Sequence, residues 1–244
     1  MTSSDAHNPS AKRPDHGWLV VDIPLMDYEA ALDLQHRIVH AKHGGLLPHE
    51  VILVLAHPPV FTFGRRGGEE HLLVDASFLK KKGIGTHRVE RGGYVTYHGP
   101  GQVVMYPIVD LNRSGWRVGD FVSSLEEVGI RLAADWGIEA GRNPLNRGVW
   151  VANRKLAYIG IAVRHWITFH GMAVNVDLSL EPFGWMNPCG LEGVRATSLA
   201  EASGMRVSTR EARKRIVNHL KTQLGITPVE ATRSELESMM GATA

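Results

Sequence analysis

The sequence predicts a single α/β domain in which helices flank a mixed β-sheet. The chain has 244 residues and is 43% hydrophobic, so it is long enough to bury one sizeable core. Short apolar runs rich in β-branched residues alternate with longer segments whose apolar residues recur at helical spacing. Between residues 148 and 176, strand-like runs follow one another over short connections, which indicates antiparallel pairing. Helices interleaved with such strands are typical of one α/β layer architecture.

The first half of the chain reads as alternating strands and helices. Strands are predicted at residues 18–23 (WLVVDI), 51–55 (VILVL) and 103–109 (VVMYPIV). The apolar residues between the first two strands keep helical spacing until Gly44 and Gly45 end that helix. A second helix covers residues 118–136 and stops at Gly137.

The second half contains the strands, a long loop and two further helices. Its predicted strands are residues 148–151 (GVWV), 155–163 (KLAYIGIAV) and 167–176 (ITFHGMAVNV). Residues 177–199 are rich in Pro and Gly, which predicts an ordered irregular loop that carries Cys189. STRE (208–211) is a predicted capping box that opens a helix ending near Leu224, and a short helix is expected at 229–240.

Composition excludes several classes of protein. A formal charge of +2 is far below that of a dedicated nucleic-acid binder. The sequence contains no run of about eighteen apolar residues, so we expect no transmembrane helix and no membrane partner. A single cysteine excludes internal disulfides and multi-cysteine metal sites, which favours a reducing compartment such as the cytoplasm. Residues 1–16 are polar and rich in Pro and Ser, so we expect a disordered tail before a catalytic domain at 17–244.

The densest functional signal is RGGYVTYHGPGQ, residues 91–102. Four glycines leave backbone N–H groups unobstructed by Cβ atoms, so this stretch is able to cradle a ligand. Neither the phosphate-loop spacing nor a GxGxxG after a strand occurs, which argues against a nucleotide site. A bent hairpin with glycines at positive φ explains the composition equally well. The polar residues Arg91, Thr96, His98 and Gln102 favour the ligand loop.

Cys189, the only cysteine, is the candidate nucleophile. Free cysteines are most often buried and inert, and a thiol with a pKa of about 8.5 needs an activator at neutral pH. Candidate activators are His98, His170 and Lys155. Lys155 is alternatively able to extend from its strand to water, and the two histidines are equally able to orient the core by hydrogen bonds.

His36 and His40 form a histidine pair that permits a metal interpretation. They lie four residues apart in HRIVH, without an HExxH pattern or a carboxylate at a matching offset. We therefore expect a solvated helix face there and no metal.

Five segments carry the longest motifs. They are AHPPVFTFGRRG (56–67), RGGYVTYHGPGQVVMYPIVDL (91–111), RKLAYIGIAV (154–163), FHGMAVNV (169–176) and NPCGLEGVRATSL (187–199). Together and in this order they resemble the lipoyl(octanoyl) transferases, the LipB family. The match runs from about residue 18 to about residue 200 without a large insertion.

This resemblance implies an α/β fold similar to that of the biotin and lipoate protein ligases. It implies transfer of an octanoyl or lipoyl group from acyl carrier protein to a lysine of a lipoyl domain, as the first step of lipoate biosynthesis, without a cofactor. Cys189 falls on the family's nucleophile and Lys155 on its lysine partner. The implied substrate-binding residues are Arg91, Gly92, Gly93, Tyr94, Val95, Thr96, Tyr97, His98, Tyr158, Ile159, Gly160, Gly171, Met172 and Ala173. Tyr158 departs from the small residue expected there.

The implied partners are octanoyl-acyl carrier protein and the apo lipoyl domains of 2-oxoacid dehydrogenase E2 subunits and glycine cleavage H protein. Basic clusters at residues 64–68, 79–83 and 206–215 are candidate docking surfaces for an acidic carrier, although solvated faces that aid solubility explain each of them as well.

Two other functions stay open. An ATP-dependent lipoate or biotin protein ligase shares the implied fold and needs no cysteine. In a non-catalytic module that binds acyl carriers, Cys189 and Lys155 have no chemical role. Neither alternative explains why RKLAYIGI and NPCGL occur together.

Overall fold

The computed structural model describes residues 17–144, 146–187 and 194–241. The strands are β1 (Trp18–Ile23), β2 (Glu50–Leu55), β3 (Val60–Phe63), β4 (Gly85–Arg88), β5 (Val95–His98), β6 (Gln102–Ile108), β7 (Gly141–Asn143), β8 (Asn146–Val151), β9 (Arg154–Arg164), β10 (Ile167–Asn175), β11 (Arg195–Ala196) and β12 (Pro228–Glu230). The helices are α1 (Tyr28–His43), α2 (Ala76–Lys81), α3 (Leu111–Ser114), α4 (Val118–Ala134), α5 (Leu199–Ser203), α6 (Thr209–Leu224) and α7 (Arg233–Met239). Glu69–His71 and Glu181–Trp185 are 3₁₀ turns. The predicted tail, residues 1–16, lies outside the described residues.

The larger sheet is mixed, which confirms the predicted fold class. Its order among the described strands is β12-β1-β2-β6-β10-β9-β8-β7, and β11 pairs with β9 outside this path. β1 runs parallel to both of its neighbours. From β2 through β6, β10, β9 and β8 to β7, each pair is antiparallel. For β8, β9 and β10 the short connections are the reason, because they leave no length for a crossover.

Helices cover both faces of the larger sheet. α1 and α7 pack on one face, where Leu34, Ile38 and Leu53 are fully buried. α4 and α6 contact each other and pack on the opposite face, where Phe121 and Leu125 are fully buried. The helical spacing of apolar residues in α1 and α4 therefore indicates which face of each helix is buried. Within the described residues, no helix combines the length and the apolar character needed to cross a membrane.

A second, smaller sheet has the order β4-β3-β5, and the sequence pattern does not reveal it. Each of its strands has four residues, which is too short for alternation of polar and apolar residues to stand out. Phe61, Phe63 and Tyr97 on this sheet form one apolar cluster with Tyr158 of β9 and Phe183. These contacts attach the smaller sheet to the larger one beside β9.

The glycine-rich stretch links the two sheets. β5 pairs with β3, whereas β6 pairs with β2 and β10, so the hairpin alternative for residues 91–102 is wrong. The chain leaves the smaller sheet through Gly101, which has a φ of +92° and where a Cβ would lie 2.4 Å from the carbonyl oxygen of Asp177. At the other end of the stretch, Gly92 donates its N–H to the carbonyl of Ile161 at 3.0 Å. The stretch therefore passes close to β9 before it enters β5.

Two details at the C-terminal end differ from the sequence prediction. The predicted helix after residue 208 is confirmed, but Ser208 makes no side-chain capping bond, so the predicted capping box is wrong. Glu211 is bound instead by Arg215 one turn later. The last helix begins at Arg233 rather than at 229, because residues 228–230 pair with β1.

Two glycines of α4 are expected to respond oppositely to alanine. A Cβ at Gly129 would lie 2.6 Å from Cγ2 of Val149, so Gly129→Ala should lower the free energy of unfolding by about 1–3 kcal/mol through overpacking. At Gly119 nothing lies within 4 Å, so Gly119→Ala should raise it by up to about 1 kcal/mol. Urea unfolding measures both variants, and equal effects would contradict the close approach of α4 to β8.

Candidate active site

One cavity of about 700 Å³ brings most of the predicted site residues together. Its lining includes Lys155 and Arg91, Gly92, Gly93, Tyr94, Val95, Thr96, His98, Tyr158, Ile159, Gly160, Gly171, Met172 and Ala173. Tyr97 does not line it, because its ring packs 5.2 Å from that of Phe61 and 5.6 Å from that of Phe183. Thr96 and His98 share the opposite face of β5, because side chains alternate along a strand.

Lys155 is buried in the wall of this cavity. Its side chain lies on β9 with 2% of the residue exposed, so the alternative in which it extends to water is wrong. Its ammonium group donates to Oδ1 of Asn146 and lies 5.2 Å from the ring centre of Trp150 and 4.9 Å from that of Tyr158. A buried ammonium group requires such polar and aromatic neighbours.

Gly148 on β8 makes room for Lys155. A Cβ at Gly148, whose φ is +136°, would lie 2.7 Å from Cε of Lys155 and 2.4 Å from the carbonyl oxygen of Ala157. The backbone N–H of Gly148 donates to Oε1 of the buried Glu126 at 3.0 Å. Arg147 contacts the other oxygen of that carboxylate at 3.0 Å. α4 therefore fixes the strand segment that faces the lysine.

Cys189 lies outside the described residues, within the gap at 188–193. The described residues on both sides of this gap are anchored. Asn187 donates its N–H to the carbonyl of His71 at 2.8 Å. On the other side, Ala196 pairs with Lys155, and the N–H of Thr197 donates to the carbonyl of Lys155 at 2.9 Å. The chain that follows the cysteine segment is thus bonded to the lysine residue itself.

Missing Cβ atoms allow close backbone contacts at the cavity lining. A Cβ at Gly160 on β9 would lie 2.7 Å from the carbonyl oxygen of Gly92, and a Cβ at Gly171 on β10 would lie 2.1 Å from that of Met105 on the neighbouring strand β6. Arg91 lines the cavity and also donates to the carbonyl oxygen of Thr62 at 2.6 Å. The guanidinium group therefore ties the glycine-rich stretch to β3.

Two buried histidines are held neutral beside the cavity. His57 donates from Nδ1 to the carbonyl of Met26 and accepts at Nε2 from the hydroxyl of Tyr106, each at 2.8 Å. His98 donates from Nδ1 to Oε1 of Gln102 at 2.8 Å, since the amide of that glutamine donates elsewhere. Burial lowers the pKa of His57 to about 4 and holds the pKa of His98 well below its ordinary value of 6.5, which the neighbouring His57 lowers further.

His170 also lines the cavity, with 1% of the residue exposed. Its backbone N–H donates to Oε1 of Gln35 at 2.7 Å, while neither ring nitrogen has a hydrogen-bond partner among the described residues. Burial, with a further contribution from the charge of Arg91, lowers the pKa of His170 to about 3. A role for His98 or His170 as activator of the cysteine stays a prediction. On α1, Nε2 of His36 lies 3.2 Å from Oε2 of Glu90.

Some lining residues are not predicted from the sequence. Tyr28, Tyr106 and Asn146 lie on the cavity wall, and His57 stands behind it against Tyr106. HPP at residues 57–59 follows a strand directly, which is a signal for His57. Nothing local marks Asn146, because only the register of β8 with β9 places it beside the lysine.

Acidification is expected to destabilise the protein below about pH 6.5. An unfolded chain protonates its histidines near pH 6.5, whereas in the fold His57 and His170 stay neutral until about pH 4 and 3, so protons favour the unfolded state. Each contributes a loss of about 1.4 kcal/mol per pH unit in this window. His57→Gln should therefore reduce the slope of unfolding free energy against pH, relative to the unsubstituted protein, by about that amount. Urea unfolding at several pH values measures the slopes, and identical slopes would refute the neutral burial of His57.

The comparisons with known proteins agree with this geometry. Residues 27–221 match the family described as lipoyl protein ligase A/B catalytic domain. An octanoyltransferase of Desulfotalea psychrophila is 46% identical, over 82% of this chain and 90% of that protein. An octanoyltransferase of Syntrophobacter fumaroxidans is 41% identical, over 91% of this chain and 96% of its own length. A solved lipoate-protein ligase A bound with ATP superposes with a TM-score of 0.72 at 17% identity, covering 92% of each chain. That likeness confirms the predicted lipoate-ligase-like fold.

Proposed function

The chain belongs to the octanoyltransferase family of lipoyl protein ligase A/B catalytic domains, and we propose that it carries the octanoyl group as a thioester on Cys189. It is an acyltransferase of lipoate biosynthesis. In the proposed reaction the donor is octanoyl-acyl carrier protein and the acceptor is a lysine of an apo lipoyl domain. The acceptor domains are those of 2-oxoacid dehydrogenase E2 subunits and glycine cleavage H protein, and the proposed compartment is the cytoplasm.

The burial of Lys155 at the cavity wall carries this proposal. Its ammonium group lies inside the cavity with Asn146 and two aromatic rings as neighbours. The backbone of Ala196 and Thr197 is bonded to that of Lys155, and this segment follows the one that contains Cys189. A cation close to a thiol favours the thiolate, which is the nucleophilic form.

The proposed chemistry consists of two acyl transfers. In the first, the thiolate of Cys189 attacks the thioester carbonyl, and the sulfur of the carrier leaves and takes up a proton from the ammonium group of Lys155. In the second, the amine of the acceptor lysine attacks the new thioester, Cys189 leaves as a thiolate, and the amine loses a proton to Lys155, which is neutral after the first step and becomes an ammonium group again. A thioester is exchanged for another at little free-energy change and then replaced by a more stable amide, so no nucleotide is consumed.

A ligase mechanism and a binding module make different predictions. A ligase forms product from free octanoate and ATP, and a module binds the carrier without turnover. Family membership supports the transferase, because both relatives compared above are octanoyltransferases over most of their length. Octanoyl-acyl carrier protein and an apo lipoyl domain, incubated without nucleotide, should therefore yield the octanoylated domain.

Intact-mass spectrometry tests the covalent route. Incubation with octanoyl-acyl carrier protein alone should add one octanoyl group to the enzyme, and Cys189→Ser should abolish the addition. Lys155→Ala should reduce the rate of acylation at least about 100-fold, the scale of proton-transfer catalysis. Lys80→Ala, at an exposed lysine of α2, is the matched control and should acylate normally. Transfer to the lipoyl domain without any enzyme adduct would exclude the thioester intermediate.

The basic cluster GRRGG, residues 64–68, is the proposed docking surface for the acidic carrier. Arg65 and Arg66 are exposed, and Arg66 lines the cavity with its guanidinium carbon 4.8 Å from the ring centre of Tyr94. The clusters at 79–83 and 206–215 lie on α2 and around the start of α6, and none of their residues lines the cavity. Charge on the rim of a binding site attracts an oppositely charged partner, and salt weakens this electrostatic attraction.

Arg66→Ala should raise the KM for octanoyl-acyl carrier protein about threefold, in line with the small energy of an exposed charge pair. The loss should be largest at low ionic strength, because salt already screens the unsubstituted protein. Arg206→Ala, at an exposed arginine remote from the cavity lining, is the control. Steady-state kinetics at two salt concentrations measure both variants, and equal KM values would exclude docking through Arg66.

A further inference from the structure

His170 combines burial, backbone strain and unsatisfied ring nitrogens on the cavity wall. Its φ of +57° lies in the left-handed region, which a residue with a Cβ adopts at a cost. The residue is 1% exposed, and neither ring nitrogen finds a hydrogen-bond partner among the described residues. Each buried polar atom of this kind needs an explanation, because leaving it unpaired is unfavourable.

The fold alone does not account for the imidazole. Gln35 holds the backbone N–H of residue 170, so the side chain is not needed for that bond. At a φ of +57° a glycine would relieve the strain, and the next residue, Gly171, shows that the strand accommodates glycine here. The contacts of the ring with Phe169 and Tyr106 do not use its nitrogens. The packing contacts of His170 therefore do not explain why its ring carries two nitrogens.

A second unpaired group lines the same cavity, on β5 of the smaller sheet. The hydroxyl oxygen of Thr96 is buried and has no partner among the described residues. Thr96 and His98 are two residues apart on β5, so their side chains share a face, and both line the cavity with His170. His98 donates through Nδ1, which leaves its Nε2 as an acceptor. A neutral imidazole offers one donor and one acceptor, and a hydroxyl offers both.

We propose that His170 is a specificity-determining residue that, with Thr96, keeps water on the cavity wall and thereby limits the length of the acyl chain. The inference rests on the proposed function, in which this cavity receives the octanoyl chain. An alkyl chain has no polar atom to offer these groups, whereas a water molecule with several polar partners satisfies them. A chain longer than octanoyl has to displace this water and leaves the buried groups unpaired, which is costly.

Competition between octanoyl-, decanoyl- and dodecanoyl-acyl carrier protein for one lipoyl domain tests the proposal. His170→Gly removes the imidazole and suits the backbone, so the ratio of kcat/KM for decanoyl over octanoyl should rise about tenfold or more. Thr96→Val keeps the volume and removes the hydroxyl, and should shift the ratio in the same direction by less. His165→Gly is the matched control, because His165 has a φ of +52° in the same β9–β10 hairpin but is exposed and lies outside the cavity lining.

The outcomes separate this inference from the proposed function. A ratio within about twofold of the unsubstituted protein in His170→Gly, with thermal unfolding showing a folded variant, overturns the inference. If that variant does not fold, His170→Asn, which tolerates the left-handed region, replaces it in the same assay. A crystal structure of the unsubstituted protein should show ordered water within hydrogen-bond distance of a His170 ring nitrogen, and its absence also overturns the inference. Failure of the unsubstituted protein to transfer octanoyl at all would overturn the proposed function, while the crystallographic result would stand by itself.

Discussion

A buried ammonium group is the constraint on which the rest of the site depends. Removing Lys155 from water is unfavourable unless polar or aromatic groups replace the solvent, and Asn146 together with the rings of β8 and β9 supplies that environment. These contacts exist only because β8 comes close to β9 at Gly148, where a Cβ would meet the lysine side chain. Glu126 of α4 holds that glycine in place. α4, β8 and Lys155 therefore depend on one another. A change in any of them exposes the ammonium group to water or removes its polar neighbours.

Besides the ammonium group of Lys155, the cavity has polar side chains nearby that carry no charge. The histidines beside it are neutral, because burial disfavours their charged forms. Neutral histidines do not compete with the ammonium group for an anion, and the guanidinium group of Arg91, which also lines the cavity, donates to the carbonyl and hydroxyl oxygens of Thr62. The missing Cβ of Gly160 lets the glycine-rich stretch approach β9 closely, because a Cβ there would lie 2.7 Å from the carbonyl oxygen of Gly92. The arrangement suits a chain that is reactive at one end and apolar along the rest.

The fold by itself does not decide the chemistry. A lipoate protein ligase with ATP bound has the same arrangement of sheets and helices, and the function lies in the residues placed on that scaffold. What separates the proposed transferase from a ligase is a cysteine that stores the acyl group in place of an adenylate. Lys155 is a buried cation in the cavity wall, and this property alone is compatible with either chemistry. Its backbone pairing with the chain that follows the cysteine segment is the feature that favours the transferase.

The sequence by itself determined the fold class, strands β1, β2, β6, β8, β9 and β10 of the larger sheet, helices α1, α4 and α6, and most segments that line the cavity, but not the short strands β7, β11 and β12. It did so because apolar periodicity reports burial along one element, and because long motifs mark backbone that must approach a ligand. It missed the smaller sheet, whose four-residue strands carry too little periodicity, and it did not reveal that Tyr97 packs against Phe61 and does not line the cavity. Only the tertiary structure decided that Lys155 is buried rather than extended to water, and that Asn146 and His57 belong to the site. These facts depend on the register between strands and on contacts between distant residues, which no local pattern encodes.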